Sequence, residues 1–409
     1  MIGNSDDGPY IPDLIVGTKG EVKNTLYNVA QILTHHPDWE FNLGFDVIAR
    51  NIHKFNVLPF ENAEPGTWLE TDLTAVRMWF VKEYGIQPTI TDTLDGIRFV
   101  AHRHKFNPMA VYLDGLTWDG VPRIDTFCET YLNSEVKRAY KLFIRAFFIG
   151  AAGRQRYPGS KMDIMLLLIG PQGCRKSSMI VSLFGKDRTT DTPFRIPSQT
   201  MYMIIRGKTG IELGEFDKYS KSSVADIKAA ITQNTDETRD PYARETVDVP
   251  RSCVFVGTTN VQHVLTDKTG NRRFAPVQVG MIDTDSIERD RDQLWAEADH
   301  YYAKHLETGE PWWFDEKDPD VMAEWDSASS PDAWEDVIQD WLQARPDLVS
   351  FHTSELYSLL HVTPASINQK ESVRLIAIMV KYGYDKAPNG VSLNGVRKSG
   401  FFKCQKVLL

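Results

Sequence analysis

Two kinds of hydrophobic pattern alternate along this chain. Apolar Val22, Leu26, Val29, Ile32 and Leu33 recur at helical spacing, which predicts a helix over 22–34. Leu73, Val76 and Phe80, widened by Trp79, predict a second helix whose N-cap is Thr71 or Asp72. Val136, Tyr140, Phe143, Phe147 and Ala151 predict a long one over 133–153. The pattern then changes. Ile164 to Ile169 is apolar without interruption, as in a strand covered on both faces of a parallel sheet, and Cys253 to Val256 repeats it. Between them Val224, Ile227 and Ile231 mark a helix near 223–232. Strand–helix alternation predicts a layered α/β domain with right-handed crossovers.

The segment after the first strand carries chemistry. Gly170, Pro171, Gln172, Gly173, Cys174, Arg175, Lys176, Ser177 and Ser178 join the strand to an apolar helix. Small residues let backbone N–H groups curl around phosphates, and the helix N-terminus presents partial positive charge to them. Lys176 is placed for the β- and γ-phosphates of ATP, and Ser177 for Mg2+. The usual glycine before the lysine is replaced by Arg175. Downstream, Glu212, Glu215 and Asp217 offer carboxylates, of which Glu212 and Glu215 suit a metal and an attacking water. Asp217 reads better as a solvated loop acid. Asn260 stands at the tip of the second strand, and Arg272 and Arg273 follow a glycine turn. An arginine there either serves a neighbouring subunit's site or forms a surface ion pair.

Composition narrows the class. The chain has 409 residues, a formal charge of −9 and four scattered cysteines without a CxxC pair, which argues against a zinc site or disulfide framework. No run approaches the roughly 18 apolar residues of a membrane span, and the N-terminus lacks the pattern of a signal peptide, so a cytoplasmic protein is expected. Charge is uneven. Residues 307–341 hold twelve acids and one lysine, whereas residues 370–409 hold eight Lys or Arg and two acids. The pattern divides into a mixed, mostly helical N-terminal domain (1–130), a P-loop ATPase core (131–310), an acidic connector (311–332) and a C-terminal domain (333–409). Helices followed by turn signals at Pro388-Asn389-Gly390 and Asn394-Gly395 suggest a winged helix, with Arg397 and Lys398 near phosphates. A capping domain is the other reading.

The order of motifs resembles the virulence-associated E family, ATPases of phages and mobile elements related to superfamily 3 (AAA+-like) helicases. The resemblance is carried by Tyr112–Thr126 (YLDGLTWDGVPRIDT), GPQGCRKSS, IELGEFD, the helix around Asp226-Ile227-Lys228, Arg239–Glu245 (RDPYARE), Pro250–Asn260 and Leu265–Phe274. It implies that Lys176 and Ser177 act in the loop, that Glu212 and Glu215 are the acidic motif, that Asn260 is the sensor, and that Arg272 or Arg273 is an inter-subunit finger. It also implies a hexameric ring in a bacterial host cell with DNA in the channel. Arg239, Tyr242, Arg244 and Arg251 would then meet that strand. The expected activity is an ATP-dependent DNA helicase or remodeller. The alternative is an ATP-switched DNA-binding initiator or regulator with little unwinding. A small-molecule kinase fits the Asn260–Arg273 segment less well, and the carboxylate pair Asp283/Asp285 reads as turn acids rather than a primase site.

Overall fold

The computed structural model describes residues 11–238, 246–265, 270–329, 333–363 and 366–404. The chain divides into two compact units, Met1–Ala328 and Ser329–Leu409. The first opens with helix α1 (Leu26–His35), strands β1 (Leu43–Asp46), β2 (Asn51–Lys54) and β3 (Gly66–Thr67), helices α2 (Glu70–Tyr84) and α3 (Ile90–Arg103), and strand β4 (Lys105–Phe106). A four-stranded sheet in the order β3-β2-β1-β4 therefore accompanies the helices.

Two helix starts differ from expectation. Helix α1 begins at Leu26 because Thr25 caps it, accepting from the Asn28 N–H, while Val22 pairs with Val16 instead. Helix α2 begins at Glu70, and Asp72 is inside it. The Asp72 carboxylate accepts from the Leu69 N–H at 2.8 Å and from the buried Lys54 ammonium at 2.6 Å. A charge taken from water is tolerated only when paired in this way.

Helices α4 (Pro108–Asp114), α5 (Phe127–Tyr131) and α6 (Arg138–Arg156) lead into the central layer. There follow β5 (Met165–Ile169), α7 (Lys176–Phe184), β6 (Thr189–Thr190), α8 (Gln199–Ile205), β7 (Gly210–Leu213), α9 (Lys221–Thr232), β8 (Thr235–Thr238), β9 (Val247–Pro250), β10 (Val254–Thr259), β11 (Phe274–Gln278), α10 (Thr284–Thr308) and α11 (Pro319–Ala328). The central sheet is parallel, ordered β11-β5-β10-β7-β6. The uninterrupted apolar run at β5 is explained by two cores. Leu166 and Leu168 enter one with α6, α7 and α10, whereas Met165, Leu167 and Ile169 enter another with α8 and α9. Each such buried side chain contributes about 1.5–3 kcal/mol.

The acidic stretch expected as a connector is instead folded against this layer. Phe314 and Val321 are buried in the core, and the Trp325 indole N–H donates to the Phe274 carbonyl at 2.7 Å. The segment Trp118–Thr126 also gains a structural role. Asp119 and Arg123 form a two-pronged ion pair at 2.8 and 2.7 Å. The Arg123 and Ile124 N–H groups both donate to Glu297 of α10, and Gln293 brackets Thr117 and Asp119. Burial raises the Glu297 carboxyl above its usual value. Asp283 caps α10, accepting from the Ser286 N–H at 3.1 Å.

The second unit comprises α12 (Ala333–Gln343), β12 (Ser350–His352), α13 (Thr353–Leu359), α14 (Gln369–Lys381), β13 (Tyr384–Lys386), β14 (Val391–Leu393), β15 (Val396–Lys398) and β16 (Gly400–Lys403). Strands β12-β16-β13 form an antiparallel sheet over a core of Ile338, Phe351, Leu375 and Phe401. Strands β14 and β15 form a separate hairpin turned by Asn394 and Gly395, both at positive φ, as a two-residue mirror-image turn requires. Among the described residues no helix is long and apolar enough to cross a membrane.

Candidate functional site

In a parallel sheet the loops at the strand C-termini converge where neighbouring connections leave in opposite directions. Here β5 is flanked by β10 and β11, and the 170–178 loop leaves its C-terminal end. The Gly170 N–H donates to the Thr259 carbonyl at 3.1 Å and ties the loop to β10. A Cβ on Gly170 would lie 2.5 Å from the Val279 carbonyl oxygen, so only glycine fits. Gly173 takes φ +80 with open space around it. Arg175 adopts φ +69, the left-handed region in which glycine is the usual residue, and its guanidinium donates to the Thr284 hydroxyl at 3.3 Å. Pro171, Gln172, Gly173, Ser177 and Ser178 are exposed, and Cys174 is buried beneath them.

Several expected residues come together here. The Lys176 ammonium donates to the carbonyls of Gly170 and Pro171 at 2.7 and 2.9 Å and to Asn260 Oδ1 at 3.0 Å. The Ser177 hydroxyl donates to Glu212 Oε1 at 2.7 Å, and Thr258 donates to the same oxygen at 2.8 Å. Glu212 is the last residue but one of β7 and is 8% exposed, so two hydroxyls orient a carboxylate largely withdrawn from water. Glu215 differs. Its backbone is left-handed, and its carboxylate is 70% exposed and pairs with Lys218 at 2.7 Å. Asp217 accepts from Thr259, the last residue of β10, at 2.6 Å.

Ser177, Glu212, Glu215 and Thr258 border an open cleft of about 340 Å³, also lined by Asp191, Thr192, Pro193, Phe194 and Tyr219. Sequence reading missed that loop and Thr258. A Thr-Thr pair at a strand tip was the available signal for Thr258; nothing local marks 191–194.

Other expected residues do not reach the cleft. Arg272 pairs with Glu316 at 3.1 Å, and both are exposed. Among the described residues the buried Arg273 Nε has no hydrogen-bond partner, and neither arginine lines the cleft. Arg251, expected on DNA, is corrected. It is 2% exposed and ion-paired with Asp236, with a second bond to the Ala230 carbonyl, and so it anchors the β8–β9 hairpin. Beside it, Arg154 donates to the Ser160, Gln233 and Cys253 carbonyls, and burial pushes its guanidinium down to about 10. Arg239, Tyr242 and Arg244 lie outside the described residues. Arg397 and Lys398 are exposed on β15.

The described residues contain no cluster of His, Cys, Asp and Glu that by itself could hold a metal. Ser177 and Glu212 are one hydroxyl–carboxylate pair, a fitting donor set for a hard cation whose other ligands are phosphate and water.

Comparison with known proteins adds the lineage. Residues 113–330 match the virulence-associated protein E-like domain, which covers the docked 118–126 segment, the loop and its acids, and α11. The chain belongs to this family. None of the curated proteins matches it. Among solved structures it is similar to the apo C-terminal region of NrS-1, at 12% identity and a TM-score of 0.44, covering 88% of this chain and 96% of that one. A second form of the same region gives 11% identity and a TM-score of 0.46, over 89% and 96%.

Proposed function

We propose that this protein is a P-loop ATPase of the AAA+ type that works as a DNA helicase or DNA remodeller in the replication of a phage or mobile element. The observation that carries the reading is the cluster at the strand tips: Ser177 and Thr258 on Glu212 in the wall of one cleft, and Lys176, the residue before Ser177, on Asn260. Family membership and the parallel sheet support it.

In this reading the first-turn N–H groups of α7 and the Lys176 ammonium bind the phosphates of ATP. Ser177 and Glu212 hold magnesium. The ion, when bound, neutralises phosphate charge and aligns the terminal phosphoryl group. Glu215, exposed at the cleft, orients the attacking water, and Asn260 supplies an amide beside the terminal phosphate. Arg272 or Arg273 serves the cleft of a neighbouring subunit in a ring and not its own, since neither lines it. The second unit is a winged helix: its order of helix, strand, two helices, strand, hairpin and strand supports that, with Arg397 and Lys398 on the hairpin for backbone phosphates.

A second reading, an ATP-switched DNA-binding protein with little unwinding, draws on Arg175, whose side chain at a left-handed position stiffens the loop. Strand displacement on a forked duplex, measured beside ATP turnover and particle mass, separates the two. ATP-dependent unwinding lost in Lys176→Ala supports the motor. ATP-dependent DNA binding with negligible turnover supports the switch, and neither activity overturns both.

A further inference from the structure

A second cavity lies at the far end of α7 from Lys176. The helix runs from Lys176 to Phe184, which sets its two ends about 12 Å apart. Where it stops, Gly185 takes φ +87 and the turn Lys186–Arg188 leads away. Residues of α4, α6 and α10 form the other walls of a space of about 230 Å³. No residue of this cavity lines the cleft at Ser177 and Glu212.

The wall carries more positive than negative charge. Lys186, Arg188 and Arg291 line it against one acid, Asp187. Arg291 has Asp292 at 3.6 Å, and Asp292 also accepts from the Tyr112 hydroxyl. Arg188 is half-buried, yet among the described residues no carboxylate pairs with it. Its guanidinium meets the Met109 sulfur, a weak acceptor, and lies 5.7 Å from the centre of the Tyr112 ring. Burial lowers its pKa. Tyr112, Asp46 and Asp187 act the other way, the two acids from beyond ion-pair distance, and Arg291 adds to the lowering. Asp46 is already engaged by the Ile48 and Ala49 N–H groups. Nor does the end of α7 consume these cations. The Leu183 carbonyl accepts from the Trp295 indole N–H at 2.9 Å, and the Val181 carbonyl from the Gly185 N–H at 2.8 Å. A guanidinium withdrawn from water without a counter-charge calls for an anion.

The same wall holds an unpaired amide. Gln155 is 1% exposed, and among the described residues neither its Nε2 nor its Oε1 has a hydrogen-bond partner. Asn107 donates to its backbone carbonyl at 2.7 Å, so only the side chain is left over. Buried polar groups are nearly always paired, and an amide is served best by a group presenting an acceptor and a donor side by side. The edge of a nucleobase does so, and glutamine reads adenine in that two-pronged way. Tyr112, Phe184 and Trp295 add aromatic wall for a planar body. Inorganic phosphate would answer Arg188 but not Gln155 or the rings. The cavity also exceeds the roughly 30 Å³ share of one water molecule several times over.

We propose that this cavity binds a mononucleotide, with Gln155 on the edge of the base, Tyr112 beside it, and Arg188 and Arg291 on the phosphate, as a site separate from the ATP cleft. The binding needs neither triphosphate nor the activity proposed above.

The test is equilibrium dialysis of the full chain, without magnesium or triphosphate, against the 5′-monophosphates of adenosine, guanosine, cytidine and uridine. At least one should bind saturably, more tightly than its nucleoside or inorganic phosphate. Arg188→Gln should weaken that binding roughly tenfold. Gln155→Leu should weaken it by a similar factor without lowering the melting temperature of the free protein, because it removes an unpaired amide. Lys176→Ala should bind like the parent, so failure of the ATPase reading leaves this result legible. Retention of none of the four up to about 1 mM overturns the proposal. So does an affinity unchanged in Arg188→Gln, or binding lost in Lys176→Ala, which assigns the nucleotide to the cleft. Inorganic phosphate bound as tightly as the best nucleotide also overturns it and leaves a simple anion site. Unaltered thermal melting of Arg188→Gln excludes misfolding as the cause of its loss.

Discussion

Residues 170–178 and 118–124 both belong to the family domain and both are rich in polar groups, yet they use those groups in opposite ways. In the first, Lys176 meets Asn260, Ser177 meets Glu212 in the wall of an open cleft, and most of the loop is exposed. In the second, Asp119, Arg123, Gln293 and Glu297 spend their hydrogen bonds on one another and on backbone N–H groups, with Glu297 fully buried. The difference is in what a substitution leaves behind. Removing a cleft side chain leaves its neighbours to water. Removing a buried acceptor strands donors that water cannot reach, and the fold bears the loss. A recurring polar motif is therefore assigned by the partners of its side chains, not by its composition.

Substitutions at four positions break or sharpen this contrast. Lys176→Ala should lower ATP turnover by a factor on the order of 100 or more while leaving urea denaturation nearly unchanged; a large loss of stability would erase the distinction. Glu297→Ala should do the reverse, costing about 3 kcal/mol in the same denaturation because two N–H groups lose their acceptor. Its pH dependence sharpens the point. Burial raises the Glu297 carboxyl above 4.5, so the folded state holds the proton more tightly than the unfolded chain does. The stability of the parent relative to Glu297→Gln should then fall as pH rises from about 4.5 through the folded pKa.

Arg175→Gly should raise stability by about 1 kcal/mol by relieving φ +69, against the loss of one long bond to Thr284, measured as a shift in the denaturation midpoint. The smallest effect is expected at Asp119. The Arg123 guanidinium and the Val121 N–H hold its carboxyl at about 2, below 3.8, so its contribution is present above 3.8 and lost as pH falls toward 2. Acid titration of Asp119→Asn should lack that step. The docked segment and the helix it docks on thus carry two carboxyls, Asp119 and Glu297, whose contributions to stability run in opposite directions with pH.

Much of this was legible locally. An uninterrupted apolar run specified a strand buried on both faces, because a one-sided strand alternates. A small-residue loop before an apolar helix marked the cleft, and Asn394-Gly395 marked the hairpin, because each depends on backbone conformations that few residues accept. Helix starts were less legible. Asp72 looked like a cap but is committed to Lys54, 18 residues earlier.

The sequence by itself determined the strands, the loop and the turn, since periodicity and backbone preference act over a few neighbouring residues. Only the tertiary structure decided which polar residues face a cleft and which are consumed in the core. The partner of Ile124 lies 173 residues away on α10, and that of Arg251 lies across a hairpin. Such contacts depend on how the chain closes on itself, and no local pattern of hydrophobic and polar residues records that closure.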